Sequence, residues 1–515
     1  MSWNTVLIGL LAAGGLAADP APLKPLARLG TPKPSGAADI TSLAFAPDGN
    51  SLAAGSLDAT IRIWDLRGQE RLVLREDKGA VYAVAYSPDG QHLVSGGEEG
   101  TVRLWDPARG QSVRALEGHH RSVFAVAFSP DGRIIASAGD DHLIRLWSSA
   151  DGKLLRSLEG HVREIFSLSF SADGSTLASG SRDQTVRLWG INVGSQRRRI
   201  GYESVRGGGV STDWVATVAF SADGRLLATG GRTGDIQLWD LATGESVRTL
   251  CCAPDVVSAV AFSADGRLLA SASTGLTVRL WNPWTGEMLG TLPEHPNLVS
   301  SLTFSPKEDL LAVGSVDGTV TLWNLTPWRP TRSPVQPLSA EERQRLWTEL
   351  GGESVTRAYL ALDQLASHPE VVVALAREHL RPAPRSPEKS LAQLLQELDD
   401  NNFRVRNAAA RDLARLGPLA ESALREALQT ADLSAEARRH LERLLADFDR
   451  PKGRPNADEL RRTRLLQVLE AVGTPAAHEY LQTLSEGSSL ARLSQEARAA
   501  QRRLERRLLP ERSPR

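Results

Sequence analysis

Hydrophobic and polar residues alternate along the first two thirds of the chain, in short segments that are separated by turn-forming residues. The stretch "SVFAVAFSPDGRIIASAGDDHLIRLW", residues 122–147, contains three such segments, divided by Ser-Pro-Asp-Gly and by Asp-Asp-His. Alternation with period two is typical of a β-strand with one buried face, and Pro, Asp and Gly favour tight turns. This stretch therefore predicts three strands, and "KLLRSLEGH" at 153–161 predicts a fourth.

The four-strand block occurs seven times, and each copy has a tryptophan at the end of its third segment. The intervals between these tryptophans are 41, 42, 42, 50, 42 and 42 residues, for Trp64, Trp105, Trp147, Trp189, Trp239, Trp281 and Trp323. A fixed period of this length indicates a repeat architecture. Because one small four-stranded sheet cannot bury both of its faces, we expect the seven sheets to pack against one another around an axis.

The repeats resemble WD40 repeats over residues 26–326. The resemblance rests on Trp-Asp pairs at 64–65, 105–106 and 239–240 and on Gly-His pairs at 118–119 and 160–161. It implies an all-β, seven-bladed propeller over residues 21–326. The segment "LARLGTP" at 26–32 is similar to the fourth strands of other repeats, so we expect it to complete the last blade. Closure of this kind removes exposed sheet edges.

The same resemblance implies a buried chain of hydrogen bonds that joins His, Ser, Asp and Trp. Two copies are complete: His119, Ser137, Asp141 and Trp147, and then His161, Ser179, Asp183 and Trp189. The fixed place of both histidines in the repeat favours this structural role over metal binding or acid–base chemistry. Four other blades have lost a member of the chain, and we expect them to lack the full network and to depend more on apolar packing. The replacing residues are Glu99, Thr233, Gly275 and Val313.

One end of such a ring, which we call the rim, carries the loops into the first strands and the turns between second and third strands. The resemblance implies that partners bind there. The candidate partner-binding residues are aromatic or charged: Tyr82, Phe124, Phe166, Trp214, Arg182, Arg232, Glu98 and Asp140. Aromatic residues beside arginines are typical of interface centres. The alternative is that the rings of Tyr82, Phe124 and Phe166 close the central channel.

The alternating pattern stops after Pro337, and helical signals replace it. Ser339 and Glu342 form a capping box, and Gly473 followed by Pro475 marks the end of one helix and the start of the next. We predict a Pro-rich linker at 327–338, an α-helical domain at 339–510 and a disordered tail at 511–515.

Two helix pairs of the C-terminal region, at 399–428 and at 459–484, resemble HEAT repeats. The resemblance implies a HEAT-like helical-repeat domain that offers a scaffold surface and no reaction centre. The order of the two domains looks like a type of WD40 protein found in bacteria.

Two groups of arginines have alternative interpretations. The last helix carries Arg498, Arg502, Arg503, Arg506, Arg507, Arg512 and Arg515. A solvated helix face is the simpler interpretation, and binding of nucleic acid or an anionic surface is the alternative. Residues 197–199, three consecutive arginines, are expected on a Gly-rich surface loop, either solvated or in contact with an acidic partner.

The first residues contain an apolar run at 6–17 that ends in small residues. Its length is too short to span a bilayer and suits a signal peptide at 1–18. We therefore expect an exported protein, periplasmic or secreted, and a cytoplasmic one if the run is not a signal. No transmembrane anchor is expected in the mature chain.

Composition narrows the function further. The chain has 515 residues, with 60 basic and 61 acidic ones, so no global field attracts nucleic acid. The two cysteines are adjacent, at 251 and 252, which excludes a disulfide framework and a zinc site built on several thiolates. No hydrolase elbow, metalloprotease helix or phosphate loop occurs in the sequence. We therefore expect no cofactor, no metal and no small-molecule substrate.

The sequence predicts a non-catalytic protein-interaction scaffold. One protein partner is expected on the rim, and the helical domain is expected to be a second docking surface. The alternatives are nucleic-acid or anionic-surface binding through the Arg-rich last helix, and a propeller-based hydrolase without a recognisable motif.

Overall fold

The structure is a computed structural model, and it describes residues 24–508 with some gaps. The gaps are residues 35, 37, 77–78, 192–194, 202–213, 252–254, 294, 329–336, 383–390, 401, 417–423, 425–426, 429–432, 450–454 and 488–491. The predicted signal peptide at 1–18, most of the predicted linker and the predicted tail at 511–515 lie outside the described residues.

Seven antiparallel sheets of four strands each follow one another along the chain, and each sheet is one blade. Blade 1 consists of β2 (Ile40–Phe45), β3 (Ser51–Ser56), β4 (Thr60–Asp65) and β5 (Glu70–Arg75), and blade 2 consists of β6 (Val81–Tyr86), β7 (Leu93–Gly97), β8 (Val102–Asp106) and β9 (Gln111–Leu116). Blade 3 consists of β10 (Val123–Phe128), β11 (Ile134–Gly139), β12 (Ile144–Ser148) and β13 (Leu154–Leu158). Blade 4 consists of β14 (Ile165–Phe170), β15 (Thr176–Ser181), β16 (Thr185–Gly190) and β17 (Ser195–Gly201).

Blades 5 to 7 complete the ring of seven. Blade 5 consists of β18 (Val215–Phe220), β19 (Leu226–Gly231), β20 (Asp235–Asp240) and β21 (Ser246–Cys251). Blade 6 consists of β22 (Val257–Phe262), β23 (Leu269–Ser273), β24 (Val278–Trp281) and β25 (Met288–Thr291). Blade 7 consists of β26 (Val299–Phe304), β27 (Leu310–Ser315), β28 (Val320–Asn324) and β1 (Ala27–Leu29). The first strands of neighbouring blades contact one another all around the ring, so they form its inner wall. The predicted seven-bladed propeller is confirmed.

Small residues allow neighbouring blades to pack closely. The second strand β11 is buried along nearly its whole length, whereas the fourth strand β13 is exposed except at its last residue. At Gly96 in β7, a Cβ atom would lie 2.6 Å from a methyl carbon of Val123 in the next blade. Only glycine fits that approach, and the branched side chain of Val123 fills the space between the two sheets.

The last blade closes with a strand from the other end of the sequence. Strand β1 pairs antiparallel with β28, with Leu29 opposite Val320, and Leu29 is fully buried. The backbone N–H of Leu26 donates to the carbonyl of Leu322 at 2.7 Å. The predicted closing segment at 26–32 is therefore correct in place, and its strand part is Ala27–Leu29.

The described part of the C-terminal region is helical. A short 3-10 helix at Thr326–Trp328 follows the propeller, and the α-helices are α1 (Ala340–Leu350), α2 (Val355–Ala366), α3 (Pro369–His379), α4 (Leu391–Leu398), α5 (Phe403–Leu416), α6 (Ala435–Asp449), α7 (Ala457–Val472), α8 (Pro475–Ser485) and α9 (Arg492–Leu508). The predicted boundaries at Ser339, with its capping box, and at Gly473, which is left-handed with φ 58°, are confirmed.

The helices form two separate hydrophobic clusters. Helices α4, α5 and α6 share one cluster around Leu413 and Leu441. The other cluster is built around α7, which contacts α1, α2, α3, α8 and α9 and is buried along the whole of residues 464–470. A helix surrounded on all sides differs from the linear stack of neighbouring pairs that the HEAT resemblance implies. The helical fold class is confirmed, and the HEAT-like character stays a prediction.

The α7-centred helices, which we call the helical bundle, pack on the end of the propeller opposite the rim, which we call the base. Leu226 and Trp284 of blades 5 and 6 belong to the same buried cluster as Leu346, Tyr359 and Leu466 of the bundle. On the outer side of blade 5, the Thr356 hydroxyl donates to the carbonyl of Val247 in β21 at 2.6 Å.

A buried ion pair joins the bundle to the base of blade 5. One guanidinium nitrogen of Arg464 donates to Asp240 Oδ2 at 3.0 Å, and the other donates to the carbonyl of Leu350 at 2.7 Å. The side chains of Asp240 and Arg464 are only 4% and 3% exposed. The other oxygen, Asp240 Oδ1, accepts from the backbone N–H of Ala242 and so closes its own turn.

Blade 6 has a matching anchor in which an amide replaces the carboxylate. Asn282 follows Trp281 where three of the other repeats have Asp, and its Oδ1 accepts from the backbone N–H of Trp284 at 2.9 Å. Its Nδ2 donates to Asp363 Oδ1 of α2 at 2.9 Å. An aspartate at this position would place two carboxylates in contact, so the amide suits the helix that covers it.

The prediction that residues 197–199 form a surface loop is wrong. They lie in β17, where Arg199 pairs with Arg187 and Arg198 pairs with Leu188 as the fourth strand of blade 4. The inserted residues therefore follow the strand instead of replacing it.

Among the described residues, no helix combines the length and the apolar character that crossing a bilayer would require.

Candidate functional site

A β-bulge near the rim recurs at the start of the first strand in every blade. In β10 the pairing with β11 shifts register between Val123 and Ala125, so Phe124 stands at the bulge. The same shift occurs in all seven blades, at Thr41, Tyr82, Phe124, Phe166, Ala216, Ser258 and Ser300. A bulge redirects the side chain at its extra residue, which gives the rim seven equivalent positions.

Small hydroxyl residues at three of these bulges tie neighbouring blades together. Thr41 donates to the carbonyl of Val81 in the next blade at 2.6 Å, and Ser258 donates to the carbonyl of Val299 at 2.8 Å. Ser300 donates in the same way across the closure of the ring. We call these three residues the hydroxyl arc, and their polar groups are satisfied within the ring.

Three aromatic residues occupy the bulges of blades 2, 3 and 4. The rings of Tyr82 and Phe124 are 5.3 Å apart in an edge-to-face arrangement, and those of Phe124 and Phe166 are 5.7 Å apart. All three are half-buried. Strands β6 and β10 contain no serine or threonine. Contacts between aromatic rings therefore take the place of the hydroxyl hydrogen bonds that link other neighbouring blades. We call these three residues the aromatic row.

The half-buried state of the aromatic row bears on both hypotheses made from the sequence, which are partner binding and closure of the central channel. The rings hold neighbouring blades together, and each ring still presents part of its surface to solvent. Burial and, second to it, the charge of Glu98 raise the pKa of the Tyr82 phenol. Binding of a partner by these residues stays a prediction.

Charged residues next to the aromatic row form short-range contacts. Arg121 lies 3.4 Å from Asp140 and Arg182 lies 2.6 Å from Glu164. On blade 5 the guanidinium of Arg232 lies over the ring of Trp214, 5.1 Å from its centre. The structure thus brings the predicted rim residues of blades 2 to 5 to one end of the ring, including Trp214 and both arginines.

The rim turns are held in left-handed backbone conformations. In every blade one residue of the turn between the second and third strands has φ between 62° and 78°: Ala59, Gly100, His142, Gln184, Gly234, Leu276 and Gly318. Four of these are not glycine, and left-handed backbone is uncommon for such residues. The turn geometry is therefore imposed by the repeat and not by local residue preference.

The two complete hydrogen-bond chains lie under the rim in blades 3 and 4. His119 Nε2 is 2.7 Å from Ser137 Oγ, and Trp147 Nε1 donates to the same oxygen at 2.8 Å. His119 Nδ1 is 2.9 Å from Asp141. Blade 4 repeats this with His161, Ser179, Asp183 and Trp189 at 2.7, 2.8 and 2.8 Å.

The carboxylates of these chains are strongly stabilised in their charged form. Burial alone would raise the pKa of Asp141, but hydrogen bonds and charges from His119 and Arg145 outweigh it and hold the pKa well below its usual range. His161 and Thr185 lower the pKa of the Asp183 carboxyl in the same way, against the opposing effect of burial. Both histidines are enclosed, so their role in the structure is to join strands.

Blade 2 has a polar network that the sequence analysis did not predict. Glu76 occupies the place of the histidine and accepts from the hydroxyl of Ser95, which in turn accepts from Trp105 Nε1 at 2.9 Å. Arg103 Nε donates to Glu76 at 3.0 Å. Blade 2 therefore lacks the full His–Ser–Asp–Trp chain, as expected, but it retains a polar network in which Glu76 stands in for the histidine.

Blade 7 keeps the histidine but not its partner. His295 precedes Trp323 by the same interval as His119 precedes Trp147, a signal that was available in the sequence. Val313 replaces the serine, and His295 Nε2 is buried without a hydrogen-bond partner. Burial, together with the charge of Arg28, lowers the pKa of His295 to about 4, against the opposing charge of Asp317.

Arginines of the last helix stabilise the helical bundle. Arg498 donates to the carbonyls of Ser485 and Gly487 at the end of α8, at 2.8 and 2.9 Å. Arg503 forms two contacts of 2.7 Å with Glu470 of α7.

Within the described ranges, no three His, Cys, Asp or Glu side chains are grouped closely enough to hold a metal ion.

The repeats match one known protein family. The family described as "WD domain, G-beta repeat" matches residues 26–65, 68–106, 110–148, 152–190, 206–240, 244–282 and 286–324, which is more than half of the chain. Most matched segments begin on the fourth strand of one blade and end on the third strand of the next, which explains why β1 belongs to the first segment. No curated protein matches the chain.

Proposed function

Since the chain belongs to the WD40-repeat family, we propose that it is a non-catalytic scaffold that binds a protein partner at the rim of blades 2 to 5. The observation that carries the proposal is the aromatic row. Three adjacent rings with exposed surface, next to arginines and Trp214, have the composition of an interface centre.

The position of the helical bundle supports the choice of the rim. The bundle packs on the base of blades 5 and 6 and on the outer strand of blade 5. Its contacts with the propeller, through Asp240, Asn282 and Val247, are all away from the aromatic row. A partner at the rim and the bundle therefore do not compete for one surface.

The helices α4, α5 and α6 are the second docking surface in this proposal. They have their own hydrophobic cluster, separate from the α7-centred cluster. Phe403, at the start of α5, is 63% exposed, and the guanidinium of Arg406 lies 5.9 Å from the centre of its ring. An exposed aromatic residue with a cation beside it favours contact with another protein.

Export through residues 1–18 stays a prediction.

Nucleic-acid binding through the last helix receives no specific support. Arg498 and Arg503 are engaged in hydrogen bonds within the bundle, which leaves fewer cations for phosphates. A hydrolase would need a nucleophile with an adjacent base, and the histidines of blades 3 and 4 are enclosed in the network of strand contacts.

The test is affinity capture from the native organism with the tagged full-length protein. We expect the Tyr82→Ala, Phe124→Ala, Phe166→Ala triple variant to lose specific partners that the wild-type protein retains, because the apolar centre of the interface is gone. The matched control is Ser258→Ala, Ser300→Ala, which changes equivalent bulge positions outside the aromatic row and should keep the partners.

Thermal unfolding of the same variants separates binding from channel closure. Each aromatic ring pair contributes about 0.5–1.5 kcal/mol, so the triple variant should be somewhat less stable but folded. Capture of the same proteins by the triple variant and the wild type would contradict the proposal. A loss of stability with unchanged capture would show that the rings only close the channel.

A further inference from the structure

The charges along the rim are unevenly distributed among the blades. Four arginines surround the rim of blades 3 to 5: Arg121, Arg163, Arg182 and Arg232. Among the residues that the structure describes at this rim, two carboxylates lie between the arginines, Asp140 and Glu164, and each is paired with one of them, at 3.4 and 2.6 Å. The described part of the rim of blades 3 to 5 therefore carries an excess of positive charge.

The excess is located on Arg163 and Arg232. Both side chains are exposed, and in the described part of the chain neither is within ion-pair distance of a carboxylate. Arg232 rests on the ring of Trp214, which holds the guanidinium over an aromatic face and leaves its N–H groups directed to solvent or to a ligand. Arg163 is next to Val162, whose side chain is 70% exposed.

The opposite end of the aromatic row has the opposite charge. Glu98 and Glu99 of blade 2 are exposed. One oxygen of Glu98 accepts from the backbone N–H of Ala80 at 3.1 Å, which fixes the carboxylate at the rim. Apolar surface thus runs from an acidic blade 2 to a basic side at blades 4 and 5.

We propose that the rim of blades 3 to 5 binds an acidic peptide segment that carries an apolar or aromatic residue between or beside its carboxylates. The apolar residue packs on Phe124 and Phe166, and the carboxylates pair with Arg163 and Arg232. This inference rests on the proposed function and adds the chemistry of the partner. The acidic residues at blade 2 repel the same carboxylates, so the acidic end of the segment is directed toward blades 4 and 5.

The experiment measures binding of two synthetic fluorescent peptides to the full-length protein by anisotropy. Both peptides have the same length and a central Trp-Leu pair, which is flanked by glutamates in one and by lysines in the other. We expect the glutamate peptide to bind at least about tenfold more tightly than the lysine peptide, and to weaken as ionic strength rises.

Charge reversal identifies the arginines that are responsible. The Arg163→Glu, Arg232→Glu variant should lose affinity for the glutamate peptide by about tenfold or more. The control is Arg75→Glu, Arg156→Glu, which makes the same change of net charge on exposed residues of the outer strands β5 and β13 and should bind as the wild type does.

Two results would overturn the inference: equal binding of the two peptides, or unchanged binding by Arg163→Glu, Arg232→Glu. Absence of any binding by the glutamate peptide at about millimolar concentration would overturn it as well. These outcomes are distinct from failure of the proposed function. If the aromatic triple variant still loses its captured partners, the rim binds a partner whose chemistry differs from the one proposed here.

Discussion

Blades 3 and 4 and blades 5 and 6 are stabilised in different ways. Blades 3 and 4 have complete His–Ser–Asp–Trp chains. Blades 5 and 6 keep only the end of the chain, where Trp239 donates to Thr229 and Trp281 donates to Ser271. The second pair of blades is packed against the helical bundle instead.

The residue after the signature tryptophan shows the same division. In blade 1, Asp65 closes its turn with one oxygen and pairs with Arg71 of the same blade, at 3.1 Å, through the other. In blade 5 the second oxygen of Asp240 pairs with Arg464 of α7. The same repeat position therefore stabilises a single blade in one region and joins two domains in another.

The difference shows how a repeat protein specialises its copies. A blade with helices on its base gains buried contacts, so it retains its shape after losing the histidine and aspartate of its own network. Blades 3 and 4, which have their own networks, carry half-buried aromatic residues at the rim, Phe124 and Phe166. In our proposal, the partner binds at the rim of blades 2 to 5, whereas the helical bundle packs on the base of blades 5 and 6.

The strongest test of this comparison is Arg464→Ala. It removes the ion-pair partner of the buried Asp240 Oδ2 and the Arg464 donor to the carbonyl of Leu350, and the expected loss is about 3–5 kcal/mol of unfolding free energy. Denaturant unfolding measures it. Arg462→Ala, an exposed neighbour on the same helix, should change stability by less than about 0.5 kcal/mol. Equal effects of the two variants would show that the ion pair does not join the domains.

A second test restores the usual signature residue in blade 6. Asn282→Asp would place a carboxylate against Asp363, and we expect a loss of about 2 kcal/mol at neutral pH. The repulsion raises the pKa of one of the two carboxyls in the folded state, so the deficit should shrink as the pH falls through the acidic range. Chemical unfolding at neutral and acidic pH measures both effects.

The double variant Asn282→Asp, Asp363→Asn is the control for that experiment. It moves the amide to the helix and should recover most of the lost stability, since one donor and one carboxylate face each other again. Failure of the second substitution to rescue the first would mean that Asn282 matters only through its own turn.

The smallest expected effect concerns the incomplete chain of blade 7. Val313→Thr supplies a hydroxyl near His295 Nε2, as Thr229 does for Trp239 in blade 5, and should stabilise the protein by about 1 kcal/mol. Thermal unfolding at slightly alkaline pH, where the histidine is neutral, measures this change. No gain in stability would show that the imidazole nitrogen is not a cost to the fold.

The pH dependence of stability gives an independent measure at the same site. The folded-state pKa of His295, about 4, lies below the ordinary histidine value. The unfolded chain therefore binds a proton first, and the wild-type protein should lose stability as the pH falls from about 6.5 toward 4, with no contribution above that range. His295→Phe, which keeps a ring against Trp323, should weaken this dependence.

Some features of the fold followed directly from sequence. The period of the tryptophans, with strand alternation inside each unit, predicted seven blades, and the likeness of residues 26–32 to other fourth strands predicted the closure at β1. Helix boundaries at Ser339 and Gly473 followed from capping chemistry, which is local. These predictions succeed because the physical cause lies within a few residues, or repeats at a fixed interval.

Other features could not be found by the same reasoning. In blade 2, Glu76 takes the role of the histidine and pairs with Arg103, so a search for His and Asp at fixed places misses this network. The arginines at 197–199 read as a loop because glycines follow them, but pairing with β16 makes them a strand. In both cases the partner that decides the outcome is distant along the chain.

The sequence by itself determined the number of blades, the strand that closes the ring, the helical character of the C-terminal region and the residues available at the rim. Only the tertiary structure decided that the bundle covers the base of blades 5 and 6, that Asp240 and Asn282 face Arg464 and Asp363, and that the three rim rings touch. The physical reason is range: periodicity and capping act between near neighbours, whereas the pairing of buried charges depends on which surfaces meet after folding.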